Sequence, residues 1–266
     1  MACLALLKKA SLVGAFFMLG IQTGAAWAFC PAPSGLSTAK VQRVVDGDTL
    51  RLSDGRSVRL LGLNSPELGR QGRSAEPFAE AARKRLQALV DAGRGRVQLQ
   101  PGVQSKDHYG RTLAHAYDPQ GRNLEAQLLS EGLGYWVAVA PNLALERCHE
   151  AAERTAREAR LGVWQRPVIQ SPKQLNRGGF NLIQGRVERV ERNRGGVWLE
   201  MGDSVVLHIA ARMMPNFDAS ALQDLEGRQI EARGWVVDRA KRGGLREGQA
   251  RWMLPLTAQG MLQVRP

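Results

Sequence analysis

Cysteine and histidine are scarce in this chain of 266 residues, and neither is spaced to hold a metal. Three cysteines and four histidines are scattered along it, with no CxxC pair and no Cys/His spacing of a zinc site. Acidic residues are also short, 25 against 37 Lys and Arg, for a formal net charge of +12. That imbalance favours polyanionic partners, nucleic acid or an anionic membrane surface, and says nothing of fold. A composition of 44% hydrophobic and 23% charged residues excludes a disordered chain, a collagen and a polytopic membrane protein.

One long apolar run is present, at the start. Two lysines precede it, and Ala-Trp-Ala closes it at Ala28. This pattern predicts a secretory signal peptide over residues 1–28, cleaved after Ala28, and a periplasmic or secreted protein with no stable membrane insertion afterwards. The alternative is an uncleaved membrane anchor. Cys3 leaves with the signal, so Cys30 and Cys148 remain in an oxidising compartment. A Cys30–Cys148 disulfide is the expectation; two unpaired thiols, with Cys148 buried on a helix face, are the alternative.

Residues 29–164 read as one block of strands and helices. Asp54-Gly55 between apolar runs is a two-residue hairpin signal. Ser74 is placed to cap a helix with Pro77 in its first turn, Phe78, Ala82, Leu86 and Leu89 on its inner face and Gly93 at its end. Strands are expected over residues 96–100 and 112–117, a short helix after Asn123 and a last helix over about residues 143–161. These make an α+β domain on a small β-barrel. Residues 165–178, with Pro167 and Pro172, read as a linker. Residues 179–266 read as a five-stranded OB-like barrel, its first strand bent at Gly185 and a short helix over residues 219–225. The excess charge is shared, with 20 basic against 15 acidic residues in 29–169 and 15 against 10 in 170–266.

Three stretches of the first block carry chemistry. Asp46-Gly47-Asp48 sets two carboxylates where both can face one hard cation, although Asp-Gly is also a turn signal. Arg59 through Glu67, RLLGLNSPE, gathers an arginine, an amide and a carboxylate stiffened by Pro66. Asp107 through Arg111, DHYGR, opens a strand with a second arginine. In this order, together with NLEAQLLSEGLG and REARLGVW, they resemble the staphylococcal nuclease (thermonuclease) family over residues 40–164, about half of the chain.

The resemblance implies a five-stranded OB barrel with three helices and Ca²⁺-dependent hydrolysis of DNA and RNA phosphodiesters. It implies that Asp48, Asn64 and the Ser65 carbonyl ligate calcium, with Asp46 shaping the field. Glu67 is implied to activate the attacking water, and Arg59 and Arg111 to bind the phosphate. The family has Asp where this chain has Asn64, which removes one negative charge, weakens calcium and opens the site to another divalent ion. Tyr109 matches one stacking tyrosine of the family; the segment Tyr135-Trp136-Val137-Ala138 lacks a match for the other. In the C-terminal block, Arg239, Lys241 and Arg242 lie between the fourth and fifth strands, where an OB barrel touches single-stranded nucleic acid, with Trp198, Trp235 and Trp252 as stacking surfaces. A solvated basic loop and core tryptophans are the other reading. The favoured function is an exported nuclease. The alternatives are a catalytically weak or inactive nucleic-acid-binding envelope protein on the same scaffold, and an envelope interaction protein.

Overall fold

The computed structural model describes residues 30–265 except 70, 71, 73, 244 and 246. The expected signal peptide lies outside the described residues.

The first barrel begins with β1 (Ser37–Asp46), β2 (Thr49–Leu52) and β3 (Ser57–Leu60). The β2–β3 hairpin turns at Asp54-Gly55. Gly55 takes φ 87°, and the Asp54 carboxylate accepts from Arg56 N at 3.0 Å. After β4 (Leu63–Asn64) comes α1 (Ala79–Ala92), which buries Ala82, Leu86 and Leu89 and ends at Gly93. The helix starts later than Ser74 predicts. Pro77 biases Glu76 away from helix, and Glu76 instead pins the preceding loop: its N–H donates to Glu67 O at 2.9 Å, and its carboxylate accepts from Glu67 N at 3.0 Å.

Then follow β5 (Arg96–Lys106) and β6 (Thr112–Tyr117). β5 runs past Pro101 because the pairing slips there, between Pro101 and Lys106, so the ladder does not need the missing N–H. The five strands close in the order β1-β2-β3-β6-β5, with β3 and β6 parallel. Period-2 alternation turns Leu50, Leu52, Val58, Leu60, Val97 and Leu99 inward as the core. α2 (Leu124–Ser130) is capped by Asn123, whose side chain accepts from Ala126 N at 2.8 Å. β7 (Tyr135–Trp136) pairs with β4, and α3 (Glu146–Glu158) closes the block. Cys148 on α3 is disulfide-bonded to Cys30, Cα to Cα 5.6 Å.

The stretch read as a linker is built into the second sheet. β8 (Ile169–Gln170) pairs in parallel with β9 (Gly179–Arg186). β10 (Arg189–Asn193), β11 (Gly196–Met201), β12 (Val205–Ala210), β13 (Gln229–Asp238), β14 (Trp252–Leu256) and β15 (Leu262–Val264) follow. The order is β10-β11-β12-β14-β13-β9-β8, with β15 beside β13. Only Val187 and Glu188 separate β9 from β10. Val187 N donates to Arg228 O just before β13, and Glu188 N donates to Glu200 O on β11. One bent strand therefore pairs at both ends of the path and closes an OB-like ring. As in the first barrel, its third and fifth strands, β12 and β14, run parallel. The bend falls at Val187–Glu188 rather than at Gly185, which stays paired with Ile230. Residues 219–225 form a single 3-10 turn, Ser220–Leu222, in place of the expected helix.

The barrels are joined by buried charge. Arg233 of β13 donates to Glu153 of α3 at 2.6 and 2.9 Å and to Trp136 O at 3.2 Å. Arg157 of α3 grips Glu231 of β13 at 2.8 and 2.7 Å, and Arg265 reaches the same carboxylate at 2.6 Å. Burial alone would raise Glu231, but Arg157 and Arg265 hold it at about 2. At Gly260 a Cβ would collide with the Trp136 ring, so only glycine fits.

Candidate active site

The site sits at the turn from β1 to β2. Gly47 allows a tight approach there: a Cβ would lie 2.6 Å from Ala82 Cβ and 2.7 Å from Ser65 Cβ. This packs the carboxylate turn against the Asn64-Ser65 segment and α1. Asp48 is buried and fully engaged. Its Oδ2 accepts from Ser65 N at 2.8 Å and faces Arg59 Nη1 at 2.8 Å, while Oδ1 accepts from Thr49 Oγ1 at 3.1 Å. Arg59 also donates from Nη2 to Asn64 Oδ1 at 3.3 Å. Asp46 accepts from Asp48 N at 3.1 Å. Burial, then repulsion from the Asp48 charge, pushes the Asp46 carboxyl up to about 6.

Residues 17 apart in sequence thus converge because β2 and β3 are paired and β3 leads directly into Asn64. Asp46, Asp48, Arg59, Asn64 and Ser65 form one cluster. Carboxylate and amide oxygens gathered at one turn are the donors a hard divalent cation takes. The residues fit such an ion.

Glu67 follows Pro66, in an exposed position on the loop that Glu76 pins. Arg111 enters from β6. Arg59 pairs across with Leu113, so Arg111 lies two residues along the same outward face. Asp107 orients it, accepting from Arg111 Nε at 2.7 Å and from Arg111 N at 2.9 Å. Tyr109 is 73% exposed on the same turn, its ring 5.5 Å from Arg111 Cζ and 3.7 Å from the His108 ring.

The nucleic-acid residues expected in the second block stand on the other barrel. Arg239 donates to Ala250 O at 3.0 Å and to Gln249 at 2.9 Å, so it braces its own loop. Lys241 is exposed, and the Arg242 side chain lies outside the described residues. Trp252 is core, Trp198 stacks on His208 at 3.7 Å, and Trp235 is 40% exposed.

Two groupings escaped the sequence reading. His115, Glu125 and His149 come together in the core, with ligand atoms within 4.8 Å of one another. Glu125 accepts from Ala116 N and Asn123 Nδ2, and His149 Nε2 lies 3.0 Å from Asn123 Oδ1. His115 Nδ1 lies 3.4 Å from Glu125 without hydrogen-bond geometry. Burial and the neighbouring His115 push His149 down to about 3, so it stays neutral. The second grouping is a cleft of about 190 Å³ between the barrels, beside Pro66. No spacing rule could have found either, since their members lie on separate elements.

A closed five-stranded barrel with three helices and an oxygen cluster flanked by arginine at its rim defines an SNase-like OB domain. Residues 57–166 match the family model described as staphylococcal nuclease homologue. That segment contains Arg59, Asn64, Ser65, Glu67, Tyr109 and Arg111, and begins after Asp46 and Asp48. The chain is 32% identical over 130 residues to the SPbeta prophage-derived endonuclease YokF of Bacillus subtilis, covering 47% of this chain and 43% of that one. It is 32% identical over 129 residues to the thermonuclease of Staphylococcus intermedius, covering 47% and 75%. To the micrococcal nuclease of Shigella flexneri it is 31% identical over 153 residues, covering 53% and 82%. The chain belongs to the staphylococcal nuclease family. It spans less than half the length of YokF and 63% of endonuclease YncB of Bacillus subtilis. Among the described residues no helix is long and apolar enough to cross a membrane.

Proposed function

We propose that the protein is an exported, divalent-metal-dependent nuclease that hydrolyses phosphodiester bonds of DNA, RNA or both, with Ca²⁺, or another divalent ion admitted by Asn64, at its site. The observation that carries this is the meeting of Asp48, Asn64 and Arg59 at one rim of the barrel, with Glu67 two residues beyond Ser65. Asp48, Asn64 and the Ser65 carbonyl would hold the ion, with Asp46 beside them. The chemistry supplied by such an ion would be neutralisation of phosphate charge and a lowered pKa for nearby water. Arg59 and Arg111 offer planar forks to the anionic phosphate and to the charge that grows on it. Asp107 keeps the Arg111 fork in place. Glu67 accepts the proton of the attacking water, for which an exposed carboxylate on a stiff turn is suited. The Cys30–Cys148 disulfide supports an oxidising compartment, hence a periplasmic or secreted location.

Two assays test the proposal. DNA and RNA cleavage is measured with Ca²⁺, with Mg²⁺ and with chelator, and the Glu67→Gln variant is compared. Loss of the general base should slow cleavage about 10²–10⁴-fold while nucleic-acid binding persists. Wild-type turnover in that variant sinks the assignment. One observation favours a second reading, a nucleic-acid-binding envelope protein with little catalysis: Asn64 is neutral and its oxygen is engaged by Arg59. Binding without cleavage under every ion would establish it.

A further inference from the structure

The cleft between the barrels has features of a binding site. One wall comes from the nuclease barrel, with Pro66, Phe78 and Tyr135; the other comes from the second block, with Gln170, Arg177 and Phe180. Pro66 is the immediate neighbour of Glu67. Gln170 Oε1 is buried with no hydrogen-bond partner. An acceptor left in that condition destabilises the fold unless something donates to it. Phe78 holds the left-handed conformation, φ 69°, which is strained for a bulky side chain and places its ring at the cleft.

Aromatic rings continue from the cleft to the surface. Tyr135 lies 5.4 Å from Phe180, and Phe180 lies 5.4 Å from Trp235, which is partly exposed. At the rim stand two exposed arginines, Arg166 and Arg177, against one carboxylate, Glu76, whose oxygen is engaged by Glu67 N at 3.0 Å. Aromatic faces, a buried acceptor and flanking guanidinium groups match a base with its phosphates. A base paired within a duplex presents neither its face nor its Watson–Crick edge to such a cleft; an unpaired one presents both.

We infer that this cleft takes an unpaired base of a single-stranded nucleic acid whose backbone passes Glu67. Phe180 and Tyr135 stack the base, Gln170 accepts from its edge, and Arg166 and Arg177 hold the neighbouring phosphates. Half of the site belongs to the second block, which gives that block a part in substrate choice. The inference rests on the nuclease reading only for the role of the strand; binding itself is measured without cleavage.

The test is fluorescence anisotropy of the full chain in chelator, with three labelled probes. These are a single-stranded oligonucleotide, its duplex, and the same backbone carrying abasic sites. The wild type should bind the single strand at least about tenfold more tightly than the other two. Removing a stacking ring costs about 5- to 100-fold in affinity for a single strand, expected here for Phe180→Ala. Gln170→Leu removes the side-chain amide at nearly constant size, its fold checked by circular dichroism; it should weaken the base-bearing strand and leave the abasic one unchanged. Equal wild-type affinity for base-bearing and abasic strands overturns the inference. So does unchanged single-strand affinity in both Gln170→Leu and a folded Phe180→Ala. Failure of the nuclease reading has a separate signature, no cleavage by the wild type with any ion.

Discussion

Asn64 is where one atom changes the electrostatics of the site. Its oxygen accepts from Arg59, which also neutralises Asp48 at 2.8 Å, so one guanidinium serves two of the oxygens proposed as ligands. A neutral amide leaves the ion to Asp48, with Asp46 nearby. Affinity for hard cations in oxygen sites follows the number of carboxylates. Asn64→Asp should therefore lower the half-saturating Ca²⁺ concentration for cleavage by about tenfold. Calcium titrations of both proteins measure this. Coincident curves would remove Asn64 from the ligand set.

Among the elements, α3 carries the most connections. Its Cys148 bonds Cys30, His149 packs under Gly62 and meets Asn123, Glu153 accepts from Trp136 N at 2.7 Å and from Arg233, and Arg157 holds Glu231. The helix thus touches the segment at Cys30, the cap of α2, the β4–β7 pair and the second barrel. The disulfide closes 118 residues of separation. In the chain-entropy model a loop of that size stabilises the fold by about 4–5 kcal/mol. Reduction should shift the urea midpoint downward by the corresponding amount, read from denaturation curves with and without reductant. An unchanged midpoint would show that the bond adds nothing to stability.

At the scale of the molecule the buried pairs that join the two barrels should make them unfold together rather than as independent beads. Arg233 lies between Glu153 and Glu231, almost wholly buried, and supplies the positive charge that Glu153 needs. Burial pushes Glu153 up, against the pull of Arg233. Taking one partner from a buried pair costs about 3–5 kcal/mol because the other charge is stranded. Arg233→Met should destabilise the protein by that amount, in a single urea transition followed by tryptophan fluorescence. Two separate transitions in the wild type would contradict a joint core. For the same reason, deletion of residues 170–266 should not leave an intact nuclease barrel. It removes Arg233 from Glu153 and uncovers Trp136.

The candidate site was legible in the sequence because its parts are local. Asp46-Gly47-Asp48, the Arg59 to Glu67 stretch and the Asp107 to Arg111 turn are each under ten residues long, and hairpin pairing brings the first two together. The same locality made the Asp54-Gly55 turn, the Asn123 cap and the strand at residues 112–117 readable. The start of α1 was not, because Pro77 and the Glu67–Glu76 clasp override the capping signal of Ser74. Nor was the place where the first strand of the second ring bends, which depends on Val187 and Glu188 choosing different neighbours. The union of the barrels rests on pairs such as Glu153 with Arg233, 80 residues apart. The unpaired Gln170 acceptor and the aromatic row in the cleft beside Pro66 exist only once both barrels are in place. Periodicity and turn chemistry act over a few residues and determined the strands and turns, while the candidate motifs were found through their resemblance to a family. Burial and charge pairing act between distant segments, so only the tertiary structure decided how the barrels join and what the cleft between them presents.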